Sequence, residues 1–407
     1  MVIRSSMRPG GGSGSESQRP AIDPGALSIV DQFLDAAIRA RASDVHIEPQ
    51  GDKVLIRLRV DGRLEIWREL GIEMHAQIVS RLKVMASLDI SEKRLPQDGR
   101  FSIATPQGSR DFRLAVVPLL AGEKAVVRVL MHDLSKLDFR NIGYSERNQR
   151  AYEELLGKPH GLLLHCGPTG SGKTTALYAA INHLRTTWRN IQTVEDPVEG
   201  RLAGVNQAQV NAEIGLTFAR LLRGFLRQDC DVILVGEIRD QETAQLALQA
   251  SLTGHLVLGT LHTNSAVGAV ARLIDMGVPS FFVGTGLIGV VSQRLVRRLC
   301  ARCRRPYQPS AEFARQYGLS PSQQAFEPGG CHECNNTGYR GRIGIQEVMP
   351  ADGPLRDAIH RAAPEQELQR IATQQGMVNI LLDGLSKALA GYTTIEEVYR
   401  AVVSDAQ

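Results

Sequence analysis

A glycine-rich segment at residues 167–175 reads GPTGSGKTT and constrains the fold of this chain more than any other feature. The apolar run HGLLLH lies just upstream at residues 160–165, and good helix formers follow at residues 176–184. Two glycines, a lysine and a threonine at this spacing are typical of a phosphate-binding loop between a strand and a helix. The segment therefore predicts an α/β domain that binds a nucleoside triphosphate. An ordinary strand–turn–helix corner is the alternative.

The loop predicts how the nucleotide is held. Backbone N–H groups of the loop and the positive end of the following helix would bind phosphate oxygens. Lys173 would reach the β- and γ-phosphates, and the Thr174 hydroxyl would bind Mg²⁺, which is therefore a predicted cofactor. The residues predicted to contact nucleotide are Gly167, Pro168, Thr169, Gly170, Ser171, Gly172, Lys173, Thr174 and Thr175.

The composition is that of a globular protein with more than one domain. The chain has 407 residues, 43% hydrophobic and 22% charged, and a net charge of +4 that is too small to indicate nucleic-acid binding. It has no apolar run of the roughly 18–20 residues that span a bilayer. Residues 1–20 show no apolar core after their arginines, so we expect a disordered Gly/Ser-rich lead rather than a secretory signal. We therefore expect a cytoplasmic protein.

The alternation of strands and helices predicts two α/β parts. The N-terminal part has helical spacing at residues 27–42 and 75–87, and strands at 44–49, 54–60, 64–67, 112–117 and 125–131. Residues 133–145 are more polar and form the predicted boundary. Beyond them, apolar strands at residues 162–165, 191–194, 232–235 and 256–260 alternate with helices, which predicts a parallel sheet with crossover helices.

Acidic residues follow two of these strands. Glu195 and Asp196 end the strand 191–194, and Glu237 comes shortly after the strand 232–235. The carboxyl ends of parallel strands meet at one edge of a sheet, where a bound nucleotide needs an acid for Mg²⁺ and a group that orients water. We expect Glu237 to act on the metal. Each acidic run taken alone is also compatible with a solvated strand end.

Polar residues end the strand 256–260 as well, in the segment GHLVLGTLHTN. His262 lies in this group and could contact the γ-phosphate and respond to its loss. A structural role for a histidine at a strand end is the alternative.

Four of the six cysteines form two Cys-x2-Cys pairs, separated by residues 304–330. In a cytosolic protein this spacing indicates a tetrahedral zinc site rather than disulfides, and four thiolates leave no open position for catalysis. We therefore predict a structural Zn²⁺ ion held by Cys300, Cys303, Cys331 and Cys334. Basic residues crowd the neighbouring segment 294–305, where a solvated face or a subunit contact is favoured over nucleic-acid binding, because interleaved aromatic residues are lacking.

The motifs together resemble the assembly ATPases of type II secretion and type IV pilus systems. The matching segments are GPTGSGKTT, TVEDPVE, DVILVGEIRD and GHLVLGTLHTN in this order, with SDVHIE, RLRVDGRL, VSRLKVMASLDISEKRLPQDGR, GYRGRIGIQE and the tetracysteine pattern. The resemblance covers the chain from about residue 24 onward.

This resemblance implies ATP as the nucleotide and a homo-hexameric ring. After the disordered lead at residues 1–23 that the composition predicts, it implies a PAS-like α/β domain at 24–132, a linker at 133–145 and a RecA-like ATPase domain at 146–407. The last would include a zinc-binding subdomain at residues 296–345 and C-terminal helices at 350–407.

The resemblance also implies roles for individual residues. Glu195 corresponds to the water-activating glutamate and Glu237 to the Mg²⁺-linked acid of the Walker B strand, while His262 lies in the His box. Arg113 and Arg128 correspond to arginines that close over the triphosphate. Further arginines of the ATPase domain correspond to Arg223, Arg227 and Arg239.

Two departures from the family pattern stand out. Cys230 takes the place of the proline that usually precedes Asp231. Family members that serve secretion and pilus extension usually carry a further N-terminal domain that docks on an inner-membrane partner, and here we expect only the short lead. The tetracysteine insert argues against the retraction motors of pili, which generally lack it.

The leading hypothesis is therefore an ATPase that drives assembly of a pseudopilus or pilus from the cytoplasmic face of the inner membrane. The expected partners are an inner-membrane platform protein and cytoplasm-facing assembly components, with membrane contact only through these partners and no nucleic acid. The alternatives are a motor of a DNA-uptake or conjugative pilus, and a catalytically silent scaffold that binds ATP.

Overall fold

The computed structural model of this chain describes residues 24–105, 108–130, 134, 137–320 and 323–403. Contacts within the chain divide it into two units, Met1–Leu130 and Met131–Gln407. The predicted disordered lead at residues 1–23 lies outside the described residues, as does part of the predicted linker. Within the part of the chain that is described, no helix combines the length and apolar character needed to cross a membrane.

The first unit is a six-stranded antiparallel sheet with the spatial order β3-β2-β1-β6-β5-β4. Asp61 and Gly62, both with positive φ, make the tight turn between β2 and β3 that their sequence predicts. In chain order its elements are α1 (Pro24–Ala40), β1 (Asp44–Gln50), β2 (Lys53–Val60), β3 (Arg63–Gly71), α2 (His75–Met85), β4 (Gln97–Thr105), β5 (Gly108–Leu119) and β6 (Gly122–Val129).

Alternation along these strands puts one face of the sheet against α1 and α2. Val45 and Ile47 of β1 are fully buried in a cluster that includes Phe33 of α1 and Leu82 of α2. The intervening side chains lie on the opposite face. Strand β4 was not predicted from the sequence. Phe101 is its only buried residue, so the strand has no repeated pattern of buried side chains.

The second unit contains a seven-stranded sheet with the order β15-β12-β7-β11-β10-β8-β9. All neighbouring strands are parallel except β12 and β15, which are antiparallel. Its first elements are α3 (Glu146–Leu156), β7 (Gly161–Cys166), α4 (Lys173–Leu184), β8 (Ile191–Glu195), β9 (Asn206–Gln209), α5 (Phe218–Phe225), β10 (Val232–Val235), α6 (Gln241–Leu252), β11 (Leu256–Leu261), α7 (Ala266–Asp275), α8 (Ser280–Gly286) and β12 (Leu287–Leu299).

The four strands predicted for this sheet are present and are buried along their whole length as β7, β8, β10 and β11. Burial on both faces explains why they are continuous apolar runs in the sequence rather than alternating ones. The prediction of a parallel α/β sheet with crossover helices is therefore confirmed, with β15 as its one antiparallel strand.

The rest of the unit is built on the pair β12 and β15. An insert with the four cysteines separates these two strands, and a helical pack follows them. The remaining elements are β13 (Arg305–Tyr307), α9 (Ala311–Gln316), β14 (Ala325–Glu327), β15 (Tyr339–Pro350), α10 (Gly353–His360), α11 (Glu365–Gln374), α12 (Ile380–Leu389) and α13 (Ile395–Val403).

The basic segment 294–305 begins inside β12, and the expectation of a solvated face is wrong for its first residues. Arg294 is only 5% exposed. The guanidinium of Arg297 lies 3.7 Å from the centre of the Tyr339 ring and 2.7 Å from the carboxylate of Glu397. These two arginines hold elements of the fold together, because Arg297 pairs with Glu397 and Arg294 donates to the carbonyl oxygen of Asn264.

Candidate nucleotide site and cysteine cluster

The register of four parallel strands brings the predicted catalytic segments to one edge of the sheet. His165 of β7 pairs with Thr260 of β11, and Gly259 of β11 pairs with Val235 of β10. Val235 in turn pairs with Val194 of β8. The residues that follow these positions therefore lie side by side, which places at one edge the glycine-rich loop, His262, Glu237 and Glu195.

The glycine-rich loop has the backbone conformation that its sequence predicts. Gly167, Gly170 and Gly172 all have positive φ, and Gly172 immediately precedes α4. A Cβ atom at Gly167 would lie 2.5 Å from the backbone oxygen of Gln293, so a larger residue does not fit there. Glycines at these positions leave the backbone N–H groups and the start of α4 open to a phosphate. The loop is therefore a cradle that fits a nucleotide.

The lysine of the loop is 8% exposed and lies against the backbone of its own loop. Its Nζ donates to the carbonyl oxygens of Gly167 at 2.6 Å and Pro168 at 3.1 Å. Burial lowers the pKa of Lys173, and the carboxylate of Glu237 partly opposes this effect. The ammonium is therefore already at the loop and requires only a side-chain movement to bind a phosphate oxygen.

Glu237 and His262 are in contact. The Nε2 atom of His262 lies 3.3 Å from Oε1 of Glu237, and Arg239 donates to Oε2 of Glu237 at 2.7 Å. Burial raises the pKa of Glu237, but the hydrogen bond from Arg239 and the nearby charges outweigh it and hold that pKa below its usual value. Burial and Lys173 lower the pKa of His262. At neutral pH the pair is thus a carboxylate beside a neutral imidazole.

Glu195 is 3% exposed at the end of β8, and its carboxylate is held from several sides. It accepts hydrogen bonds from Thr193 Oγ1 at 2.6 Å, from Gln207 Nε2 at 3.1 Å and from the Tyr178 hydroxyl. Burial and this carboxylate raise the pKa of Tyr178, so the phenol stays protonated and donates. A carboxylate with a fixed orientation suits a group that must orient a water molecule.

The predicted arginines of the second unit lie in two places. Arg239 is part of the Glu237 group described above. Arg223 forms an ion pair with Glu242, and Arg227 donates to the carbonyl oxygen of Arg223 at 2.8 Å. Arg223 and Arg227 are thus held at the end of α5 rather than against the Glu237–His262 pair.

Arg113 and Arg128 belong to the first unit and are direct neighbours across β5 and β6. Arg128 donates to Asp44 at 3.0 Å, and Arg113 lies 3.5 Å from Asp98. Both lie on the face of the sheet opposite α1 and α2, because they alternate with buried Phe112 and other core residues. They form a basic pair, and the Arg128 side chain is 56% exposed.

The four predicted metal ligands lie together. Their Sγ atoms are within 4.8 Å of one another, with separations of 3.8 Å for Cys300–Cys331 and 3.7 Å for Cys303–Cys334. Zn–S bonds of about 2.3 Å in a tetrahedron require sulfur atoms about 3.8 Å apart. The backbone N–H groups of Cys331 and Gly338 donate to Cys334 Sγ at 3.4 and 3.3 Å. The cluster therefore fits a thiolate-bound metal.

Comparison with known proteins identifies the family. The sequence profile of the type II/IV secretion system protein family matches residues 23–400. This chain belongs to that family.

Relatives within the family are similar over most of the chain. Type II secretion system protein E of Dickeya dadantii is 49% identical, over 93% of this chain and 76% of its own. Type IV pilus assembly ATPase PilB of Myxococcus xanthus is 45% identical, over 94% of this chain and 69% of its own. The resemblance drawn from the motifs is therefore confirmed.

Solved structures share the fold. The pilus retraction motor PilT, solved with bound ADP, is 26% identical with a TM-score of 0.61, and the match covers 90% of this chain and 95% of PilT. The ATPase DotB of Legionella pneumophila has a TM-score of 0.69 at 20% identity, covering 96% of this chain and 98% of DotB. This chain and these neighbours thus share the predicted α/β fold class.

Several residues that organise the site were missed from the sequence. Tyr178, Thr193 and Gln207 orient Glu195, and Gln293 of β12 donates to the carbonyl oxygen of Ser171 in the glycine-rich loop at 2.8 Å. Thr193 carried a signal, because side chains two apart on a strand lie on the same face. The other three come from separate elements, and no spacing in the sequence links them to the residues that they contact.

His165, just before the glycine-rich loop, generates a prediction about stability. It is fully buried, its Nε2 lies 2.9 Å from the Tyr152 hydroxyl, and burial with Lys173 lowers its pKa from 6.5 to about 3. Between these two pH values the unfolded chain binds a proton that the folded chain does not, so stability falls as the pH falls. We expect His165→Asn to reduce the pH dependence of the unfolding free energy by up to about 1.4 kcal/mol per pH unit.

Chemical denaturation of the wild-type chain and of His165→Asn, at several pH values from 7 down toward 4, checks this. The variant loses the hydrogen bond of His165 to Tyr152, so it is expected to be less stable at pH 7 while showing the shallower slope. Equal slopes in the two proteins would contradict a neutral, buried His165.

Proposed function

We propose that this chain is a Mg²⁺-dependent ATPase that works as a homo-hexamer at the inner membrane. In this proposal it powers assembly of a type II secretion pseudopilus or a type IV pilus. The observation that carries the proposal is the contact of His262 with Glu237 at the sheet edge that also holds Lys173 and Glu195. Hydrolysis of a bound triphosphate needs a lysine for the phosphates, an acid for Mg²⁺ and a group that orients water. Candidates for all three lie at this edge in a member of a secretion family.

The residues of the edge have separate tasks in this mechanism. The loop residues and Lys173 bind the phosphates of ATP. Thr174 and Glu237 would hold Mg²⁺, which would neutralise phosphate charge. Glu195, oriented by its three hydrogen bonds, accepts a proton from the attacking water. His262 contacts the γ-phosphate and responds to its release.

The names of the relatives support a role in assembly of a pseudopilus or pilus, since one relative is named as a type II secretion protein and another as a pilus assembly ATPase. We propose an inner-membrane platform protein and cytoplasm-facing assembly components as partners. The domains proposed to move in this cycle are residues 24–132 and 146–407, joined by 133–145. Two alternatives differ from this proposal. A motor for DNA uptake or conjugation would hydrolyse ATP in the same way but act with other partners, whereas a silent scaffold would bind ATP without hydrolysing it.

The assignment predicts that turnover depends on the loop lysine and the Walker B acid. Lys173→Ala removes the charge that neutralises phosphate oxygens, and Glu237→Gln removes the acid that holds the metal. We expect each variant to lose ATP hydrolysis by about 100-fold or more, because both groups act on developing charge. Both lie at the edge of the sheet, so circular dichroism spectra should match the wild type.

Phosphate release by the purified hexamer, with and without Mg²⁺, measures this. Lys158→Ala is the matched control, since this lysine lies outside the loop and its loss should leave turnover unchanged. Wild-type turnover by Lys173→Ala would reject the ATPase assignment, and absence of turnover in the wild-type protein would favour the silent scaffold.

We also propose that the cysteine cluster holds one structural Zn²⁺ ion per chain. The support is the donor set, its spacing and the two N–H groups that donate to Cys334. Four thiolates complete the tetrahedron, so the ion would supply folding energy to residues 299–339 and not a reaction site.

Elemental analysis of protein purified without chelators should find one zinc per chain, and Cys331→Ser should remove it. Because folding of the cluster depends on the ion, this variant should expose residues 299–339 to protease. Cys230→Ser is the control, since Cys230 is buried outside the cluster and its loss should leave the zinc content unchanged. Full zinc content in Cys331→Ser would contradict the ligand assignment.

Arg113 and Arg128 are proposed to act on the triphosphate from the first unit. The support is their position as an adjacent basic pair on the face of the sheet opposite α1 and α2. A planar guanidinium stabilises the charge of a phosphoryl transition state. This mechanism requires closure of one domain on another within a ring.

Alanine at either arginine should lower the turnover number more than the affinity for nucleotide, because the guanidinium acts mainly on the transition state. Steady-state kinetics and binding of a non-hydrolysable ATP analogue separate the two effects. Lys53→Ala in β2 of the same sheet is the control and should change neither quantity. If both arginine variants hydrolyse ATP normally, the closing mechanism fails while the nucleotide site stands.

A further inference from the structure

The segment 338–347, GYRGRIGIQE, matches the family but has no role in the function proposed above. Its last residue, Glu347, is 3% exposed in β15. Oxygen Oε1 of Glu347 accepts from the backbone N–H of Ala266 at 2.6 Å, and Oε2 accepts from that of Ile380 at 3.3 Å. These two residues begin α7 and α12. One buried carboxylate thus joins the starts of two helices, where N–H groups lack partners within the helix.

The first of these helices begins directly after the segment that bears His262. Ser265 is the N-cap of α7, and its hydroxyl accepts from the N–H of Gly268 at 3.0 Å. Only three residues separate His262 from Ala266. The position of Ala266 therefore limits where the imidazole of His262 can lie.

Neighbouring strands hold the same segment. Arg294 of β12 donates to the carbonyl oxygen of Asn264 at 2.9 Å, and Cys166 of β7 donates to that of Ser265 at 3.4 Å. With Glu347 of β15, side chains from three adjacent strands bind the backbone of residues 264–266. Arg294 and Glu347 are both buried, so these bonds form away from bulk water.

We propose that Glu347 is a positioning residue for ATP hydrolysis, whose carboxylate fixes the start of α7 and so holds His262 against Glu237. The inference rests on the function proposed above and adds to it a residue that touches neither nucleotide nor metal. Arg294 acts with Glu347 by fixing the residues between His262 and α7.

A purely structural role is the competing explanation, because Glu347 also binds α12. That helix is tied to β15 independently, since Asp383 accepts from the N–H of Gln346 at 2.9 Å and pairs with Lys387. The experiment must therefore separate loss of position at His262 from general loosening of the C-terminal helices.

A double-mutant cycle in the full-length hexamer makes this separation. Glu347→Met removes both acceptors at similar length, and we expect kcat to fall by about tenfold or more with little change in KM, as for a misplaced group. In the His262→Ala background the same change should lower kcat by less than about twofold, because the residue through which Glu347 acts is already absent.

The control is Asn379→Ala. Asn379 is the N-cap of α12 and accepts from the N–H of Leu382 at 2.9 Å, so its loss loosens α12 while the Glu347 bond to α7 remains. We expect a lower Tm and an unchanged kcat. If Glu347→Met does not fold, the same cycle is carried out with Glu347→Gln. Glutamine keeps one acceptor oxygen, for the N–H group of one helix. We expect a smaller loss of kcat, which again depends on the presence of His262.

The outcomes are distinguishable. If the wild-type protein hydrolyses ATP and the Glu347 variants have the same kcat, the positioning role is overturned while the proposed function stands. An unchanged kcat in His262→Ala has the same consequence. Equal relative losses with and without His262, or an equal loss in Asn379→Ala, indicate a structural role and overturn it too. Absence of turnover in the wild-type protein rejects the proposed function, and the inference falls with it.

Discussion

The parallel register of β7, β11, β10 and β8 is the constraint on which the site depends. Backbone bonds continue the register beyond the strands: Gly236 donates to Val194 at 2.8 Å, and Ile238 donates to Thr260 at 3.0 Å. The Thr260 hydroxyl also donates to the carbonyl oxygen of Gly236 at 2.6 Å. The segments after β8, β10 and β11 are therefore bonded to one another. The contact of Glu237 with His262 follows from this backbone connection rather than from attraction between two mobile side chains.

The sequence predicted the central strands because burial on both faces leaves an uninterrupted apolar run. The same reasoning could not find β9 or β4, whose residues are mostly exposed or half-buried and carry no such run. The apolar residues 278–291 are compatible by sequence with a buried strand or a buried helix, and the structure contains α8 followed by β12 there. The pairing of β12 with β15 was beyond prediction, since the cysteine insert separates the two strands and no local pattern specifies antiparallel addition to a parallel sheet.

Residues of the site could be predicted where their spacing along the sequence is characteristic of one kind of site. The loop glycines, Lys173 and the cysteine pairs have spacings that few other structures require, so sequence alone indicated them. Glu195 and Glu237 could be placed at a sheet edge but not given partners. Tyr178 and Glu347 could not be found, because each acts through contacts between elements distant in sequence. Residues that orient a catalytic group leave no spacing signal, since any element that packs nearby can supply them.

The strand pair β12 and β15 links the cysteine cluster to the nucleotide edge. Cys300 follows β12 directly and donates its N–H to Gly338 at 2.9 Å, just before β15 begins. A metal on the four thiolates would thus close the insert where the two strands meet and limit the entropy cost of joining them. Farther along the same strands, Gln293 supports the glycine-rich loop and Glu347 holds α7. A metal-bound cluster would therefore influence ATP hydrolysis without touching the nucleotide, because it would stabilise the strands that carry these supports.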